Sequence, residues 1–203
     1  IDLERFYVAS EEERASLRVR ARIDGDPVIG IIARLSDVKG IDILIKAMPA
    51  VRTQFPGVQL VIMGQGKEEA ALKELTVQGA LEDTVRFIAE VEDMARSLNM
   101  FDLFVMPSRQ EGLGLSVLEA QACGLCVVAS RVGGLVSIID EEKTGFLVEP
   151  ENVAQLADMI VRVLSDDFLR RRAGQLARGH VQEHYAAATM VDKTLHVYRE
   201  VIR

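Results

Sequence analysis

One repeating feature constrains this chain more than any other: strand-length runs of branched apolar residues, each followed by a stretch of helical periodicity. The runs are Val28–Ala33, Val58–Met63, Val85–Ile88, Leu103–Met106, Cys126–Ala129 and a short Gly145–Val148. They alternate little with polar residues, which is the pattern of parallel strands covered on both faces. Between the first two runs, Ile41, Leu44, Ile45, Met48 and Phe55 fall near helical spacing, and Pro49 is expected to interrupt or kink that helix. Lys67–Gln78, Met94–Met100 and Leu115–Ala122 read as further helices. Strands and helices in this alternation predict an α/β fold with a doubly wound parallel sheet.

The two ends depart from that rhythm. Ser10 and Glu13 have capping-box spacing and open a charged helix to about Arg22. From Asn152 to Arg203 the chain reads as helical throughout. Val153, Leu156, Ile160 and Leu164 mark one apolar stripe, and a last helix runs from Tyr185 to Arg203. With no repeat, low-complexity tract or linker, residues 1–203 read as a single domain. Its extra C-terminal helices lie outside the sheet or bridge to a partner. The first residue is Ile1 and no signal-peptide pattern follows, so the chain is expected to begin inside a longer polypeptide.

Charge and cysteine content narrow the partners. A net charge of -7 argues against nucleic acid, which calls for a basic face. An acidic domain that binds phosphate must supply positive charge and backbone N–H groups locally. No stretch approaches the ~20 apolar residues of a transmembrane segment. Cys123 and Cys126 and the lack of an export signal suit a cytoplasmic protein, peripheral membrane attachment of the full-length protein remaining open. The C-x-x-C pair falls where a helix ends rather than at a helix N-terminus, so a structural role is expected over a redox one.

Two stretches carry chemistry. The first, Pro107-Ser108-Arg109-Gln110-Glu111-Gly112-Leu113-Gly114-Leu115-Ser116-Val117-Leu118-Glu119, follows a buried strand and opens a helix. That places it at the carboxyl edge of the sheet, where such folds bind ligands. Gly112 and Gly114 let a backbone approach closely, and the free N–H groups of the helix start favour an anion. Glu111 and Glu119 flank that anion site, as suits a diphosphate with hydroxyl-bearing groups on both sides. A helix cap and a solvated face would equally account for an isolated glutamate pair. The second stretch, Ala33-Arg34-Leu35-Ser36-Asp37-Val38-Lys39-Gly40, also follows a strand. Arg34 and Lys39 offer a fork and a point charge to phosphate oxygens, although a loop with two solvated cations would look the same.

These residues together resemble the carboxyl-terminal domain of the GT4-type (group 1) glycosyltransferases of GT-B fold. The family's E-x7-E pair matches Glu111 and Glu119, and its R…KG pair matches Arg34, Lys39 and Gly40. Further matches are Phe101–Ser108, Gly133-Gly134 and Thr144–Val148, while Ile1–Phe6 resembles the segment joining the family's two domains. The resemblance covers nearly the whole chain. It implies the Rossmann-like, nucleotide-sugar-binding half of a retaining, metal-independent glycosyltransferase. Arg34 and Lys39 would hold the diphosphate of a donor such as a UDP- or GDP-sugar, and no separate cofactor is implied. Gly112, Leu113, Gly114 and Leu115 would line the phosphate and sugar pocket. Glu111 would contact the donor sugar and Glu119 the ribose hydroxyls. A sugar or lipid-linked acceptor would sit on an absent N-terminal domain, leaving this half inactive alone. Ala89, Cys126 and Val136-Ser137 depart from the family's usual Gly, Pro and Pro-Glu.

Other signals are weaker. Gly64-Gln65-Gly66 follows a strand but lacks the third glycine of a dinucleotide fingerprint, Glu69 standing there. Asp24-Gly25-Asp26 has a metal-motif spacing but runs into Pro27 as a turn does. His180 and His184 are one helical turn apart, and the interval to the cysteines is too long for a zinc finger, so a surface helix is expected. The alternative to an enzyme is a non-catalytic nucleotide-binding or regulatory module of the same fold.

Overall fold

The computed structural model describes residues 1–201. Six strands form its centre: β1 (Val28–Ile32), β2 (Gln59–Met63), β3 (Val85–Ile88), β4 (Leu103–Met106), β5 (Val127–Ser130) and β6 (Phe146–Val148). They form one sheet in the order β3-β2-β1-β4-β5-β6, and every pairing is parallel. All residues of β1, β2, β4, β5 and β6 are buried, as unalternating apolar runs require. Edge strand β3 buries only Val85. Where β1 meets β4, Gly30 leaves the space that the buried Phe101 ring fills.

The helices are α1 (Glu11–Arg20), α2 (Ile41–Gln54), α3 (Glu69–Gln78), α4 (Met94–Leu98), α5 (Leu115–Ala122), α6 (Leu135–Ile138), α7 (Val153–Ser165), α8 (Asp167–His184) and α9 (Ala187–Val201). Pro49 does not interrupt α2, which runs across it and forgoes the bond its missing N–H would have made. Only half of the expected capping box forms at α1. The Ser10 hydroxyl accepts from the Glu13 N–H, but the Glu13 carboxylate accepts from Tyr7 instead. This helix buries none of its own residues. It is fastened by Arg14 and Arg18, which donate to Asp102 at 2.9 and 2.8 Å, while the same carboxylate accepts the Val28 N–H.

The C-terminal stretch is three helices, with a break at Asp166 that the sequence reading did not give and a separate last helix that it did. It breaks at Asp166, whose carboxylate caps α8 by accepting from the Leu169 N–H, and again at Tyr185–Ala186. The last helix therefore starts at Ala187. Ile202 and Arg203, included in that expectation, lie outside the described residues. The expected apolar stripe is real: Leu156, Ile160 and Leu164 are buried on α7, which packs against α2. Cys123 and Cys126 are buried free thiols, and burial pushes both up to about 12, far from the range of a reactive thiolate.

Candidate functional site

In this strand order β1 and β4 are neighbours, but their following helices lead away in opposite directions along the sheet. A crevice opens between the two connections at the carboxyl ends of the strands, the position where open α/β sheets take ligands. It holds a cleft of about 470 Å³. Arg34, Lys39, Glu111, Leu113, Gly114, Leu115 and Glu119 all line it. Thus seven of the eight residues singled out from the sequence converge on one space. Gly112 is not among the lining residues, and its Cβ position faces open space. Ser116, in the first turn of α5, adds a hydroxyl that the sequence reading passed over, although its place just after the glycine turn marked it.

The two loops meet because their backbones are pressed together. After β1 the chain makes a short 3-10 turn, Asp37–Lys39, and enters α2 through Gly40 at φ 61°. A Cβ on Gly40 would come 2.0 Å from the Pro107 carbonyl oxygen, so only glycine lets the β1 loop lie on the β4 loop. From the other side, the Gly64-Gln65-Gly66 stretch backs the β1 loop. Leu35 N–H donates to the Gln65 carbonyl, and a Cβ on Gly66 would meet the Leu35 oxygen at 2.1 Å. The glycines that imitate a dinucleotide fingerprint are explained by this contact.

Within the cleft the two cations differ. Lys39 donates from Nζ to the Glu111 carboxylate at 2.6 Å, and the buried Ser108 hydroxyl lies 3.4 Å from the same oxygen. Arg34 is exposed, and among the described residues its guanidinium makes no hydrogen bond or ion pair. The first turn of α5, capped by Gly114 in the left-handed region, directs backbone N–H groups at the same space. Glu119 sits half-buried one side of that turn. Burial raises its carboxyl above the ordinary range, opposed by the charge of Arg5. The arrangement offers an anion one unengaged guanidinium, one exchangeable ammonium and a helix N-terminus, with a carboxylate on either side.

Arg109 is the residue that sequence reasoning missed. Its guanidinium makes a double hydrogen bond to Asp42, at 2.8 and 3.0 Å, and donates to the Asp37 carbonyl at 2.7 Å and to Glu151 at 2.9 Å. Burial disfavours the Asp42 charge, yet the hydrogen bonds from Arg109 and Lys46 outweigh it and hold the carboxyl down at about 2. The remaining sequence signals lie elsewhere. Asp24-Gly25-Asp26 is in the loop entering β1, at the amino edge of the sheet. His180 is partly buried rather than on an open surface, and burial followed by the neighbouring His184 lowers its basicity. Ala89 is exposed beyond β3 and does not line the cleft.

The sequence profile of the family described as glycosyl transferases group 1 matches residues 13–180. The chain belongs to the group 1 glycosyl transferases. One relative, the GDP-mannose-dependent monoacylated alpha-(1-6)-phosphatidylinositol monomannoside mannosyltransferase of Corynebacterium glutamicum, is 34% identical over 207 residues. That match takes in 97% of this chain and 54% of the relative. The crystallised C-terminal domain of a group 1 glycosyl transferase from Francisella tularensis superimposes with a TM-score of 0.83 at 29% identity, covering 92% of this chain and 99% of that one. Anabaena HepE, solved in complex with UDP-glucose, gives a TM-score of 0.90 at 25% identity, over 98% of this chain and 56% of HepE. The chain spans about half the length of the curated relatives it matches. Its sheet is the Rossmann-like sheet of GT-B glycosyltransferase domains.

Proposed function

We propose that this chain is the donor-binding half of a retaining glycosyltransferase, and that its cleft holds a nucleoside diphosphate sugar. The observation that carries the reading is the convergence of Arg34, Lys39 and the α5 N-terminus on one space between Glu111 and Glu119. The leaving nucleoside diphosphate gains negative charge as its bond to the sugar breaks. Positive groups fixed in advance around that charge stabilise the transition state without reorganising, and losing one such group typically costs ~10²–10³ in rate. On this reading Arg34 and Lys39 carry the diphosphate charge, so transfer calls on no metal ion. Glu111 orients the donor sugar, and Glu119 takes the ribose hydroxyls. Lys39 exchanges its bond to Glu111 for one to phosphate when the donor enters.

On this reading both carboxylates that line the cleft, Glu111 and Glu119, serve the donor, and the chain spans about half the length of its relatives. Both points support an acceptor, a sugar or a lipid-linked sugar, held by a further domain. A cytoplasmic setting, at the membrane surface or away from it, is part of the same proposal; no described helix is long and apolar enough to cross a bilayer.

Titration calorimetry with UDP, GDP and ADP tests the donor site. The protein should bind at least one of them, and Arg34→Ala should weaken that binding about tenfold, the loss of one charge-assisted contact. Equal affinity in both proteins removes the clamp. In the longer protein Glu111→Ala should abolish most transfer. Unchanged activity there would favour the non-catalytic module instead.

A further inference from the structure

We infer that Arg109 is a positioning residue for the phosphate site: it touches no ligand itself but sets Lys39 in register with Glu111. The inference deepens the donor-site reading and rests on it. Arg109 is on the β4 loop, two residues before Glu111, yet it does not line the cleft. Its side chain points the other way, into the seam between the β1 and β4 loops. There it grips the turn that carries Lys39 at two successive carbonyls. The Asp37 oxygen accepts from Nη1 of Arg109 at 2.7 Å, and the Val38 oxygen accepts from the Arg109 backbone N–H at 2.8 Å. The residue after those two is Lys39, whose ammonium reaches back across the seam to Glu111.

The guanidinium is also fixed from behind. Asp42, in the first turn of α2, takes both of its ends, and Glu151, in the connection from β6 to α7, takes Nε. Four donated bonds leave the group little capacity for a phosphate. A planar fork held on four acceptors can occupy only one place, so the turn it holds is also fixed. Lysine at this position has three donors on one atom and could not span these acceptors as the planar fork does. The arrangement therefore converts a flexible lysine on a surface turn into a preorganised charge, the condition under which such charges contribute to catalysis. A displacement of about 1 Å in a positioned group is enough to cost ~10² in rate.

The experiment compares affinities for a nucleoside diphosphate and for its parent nucleoside, by calorimetry and by ligand-detected NMR. The pair is UDP with uridine, GDP with guanosine or ADP with adenosine, whichever diphosphate the unmodified protein binds. Arg109→Gln should weaken the diphosphate about tenfold and leave the nucleoside within about twofold, because only the phosphate contact is misplaced. Arg109→Lys should recover part of the loss. Equal weakening of diphosphate and nucleoside would show a merely structural role, and no weakening of either would show no role; both overturn the inference. If Arg109→Gln does not fold, Asp42→Asn answers the same question, since it removes the charge that holds the fork while leaving the Asp37 carbonyl in place. An unmodified protein that binds none of the three diphosphates would instead overturn the donor-site reading, and this inference with it.

Discussion

Asp42 shows how a residue outside the cleft can govern the cleft's resistance to acid. Its carboxyl is ordinarily near 3.8 and is held at about 2 here. A carboxyl depressed by folding contributes stability in full above its unfolded value and loses it as pH falls through the folded one. The window is therefore about pH 4 down to about pH 2. Since the group is partly exposed, solvent screening reduces the contribution to on the order of 1 kcal/mol. Urea midpoints measured across that window should fall more steeply for the unmodified protein than for Asp42→Asn, which should be less stable at pH 6 and converge with it near pH 2. Parallel curves would mean that the Arg109 fork adds nothing to stability. Arg34, Lys39, Glu111 and Glu119 were legible in the sequence because each lies within a few residues of a strand end or a glycine turn. Arg109 was not, although it stands in the same motif. Its acceptors on Asp37, Asp42 and Glu151 are 72, 67 and 42 positions away, and no local pattern reports a fork closed over such distances.

At the scale of elements, the strands were legible because burial on both faces writes itself as an uninterrupted apolar run. The short pieces were not. The Asp37–Lys39 turn and α6 span 3 and 4 residues, too few to show a helical period, and the interval at Asp166 is a cap inside one continuous helical pattern. Yet α6 bears on the site, because Gly134 at its start lies against the β4 loop. A Cβ on Gly134 would stand 2.0 Å from the Gly112 carbonyl oxygen, while one on Gly112 would meet nothing within 4 Å. Gly134 itself has ordinary helical dihedrals, φ -65° and ψ -17°, so alanine there is strained by the contact alone. Gly134→Ala should destabilise by ~1–3 kcal/mol, as overpacking does, and weaken diphosphate binding by displacing the loop that carries Glu111. Gly112→Ala, whose added Cβ meets nothing within 4 Å, should change stability by less than ~0.5 kcal/mol. Thermal unfolding of the pair decides it: equal effects would mean that the β4 and β5 loops are not held by this approach.

Among the described residues the molecule divides into a sheet with its cover and a last helix that stays exposed. No described side chain of α9 is buried, although Met190, Val191, Leu195, Val197 and Tyr198 are exposed large hydrophobics along it. A concentration of apolar surface of that kind is the mark of a face that binds something. The proposal of a further acceptor-holding domain gives it an occupant, and the contact between the two ends of the chain gives it a direction. The Ile1 carbonyl accepts the Ala187 N–H at 2.9 Å, and the Ile1 amino group donates to the Tyr185 carbonyl, so α9 leaves the sheet where the first residues arrive. If α9 serves a neighbour rather than this core, ending the chain at Ala186 should barely matter to the sheet. Loss of exposed side chains falls within about 0.5 kcal/mol, which for a domain of this size moves the unfolding midpoint by no more than about 2 °C. Circular dichroism melts of the two chains check this. A fall of more than about 5 °C would mean that α9 belongs to the core of this half, and the apolar stripe would then no longer argue for a second one.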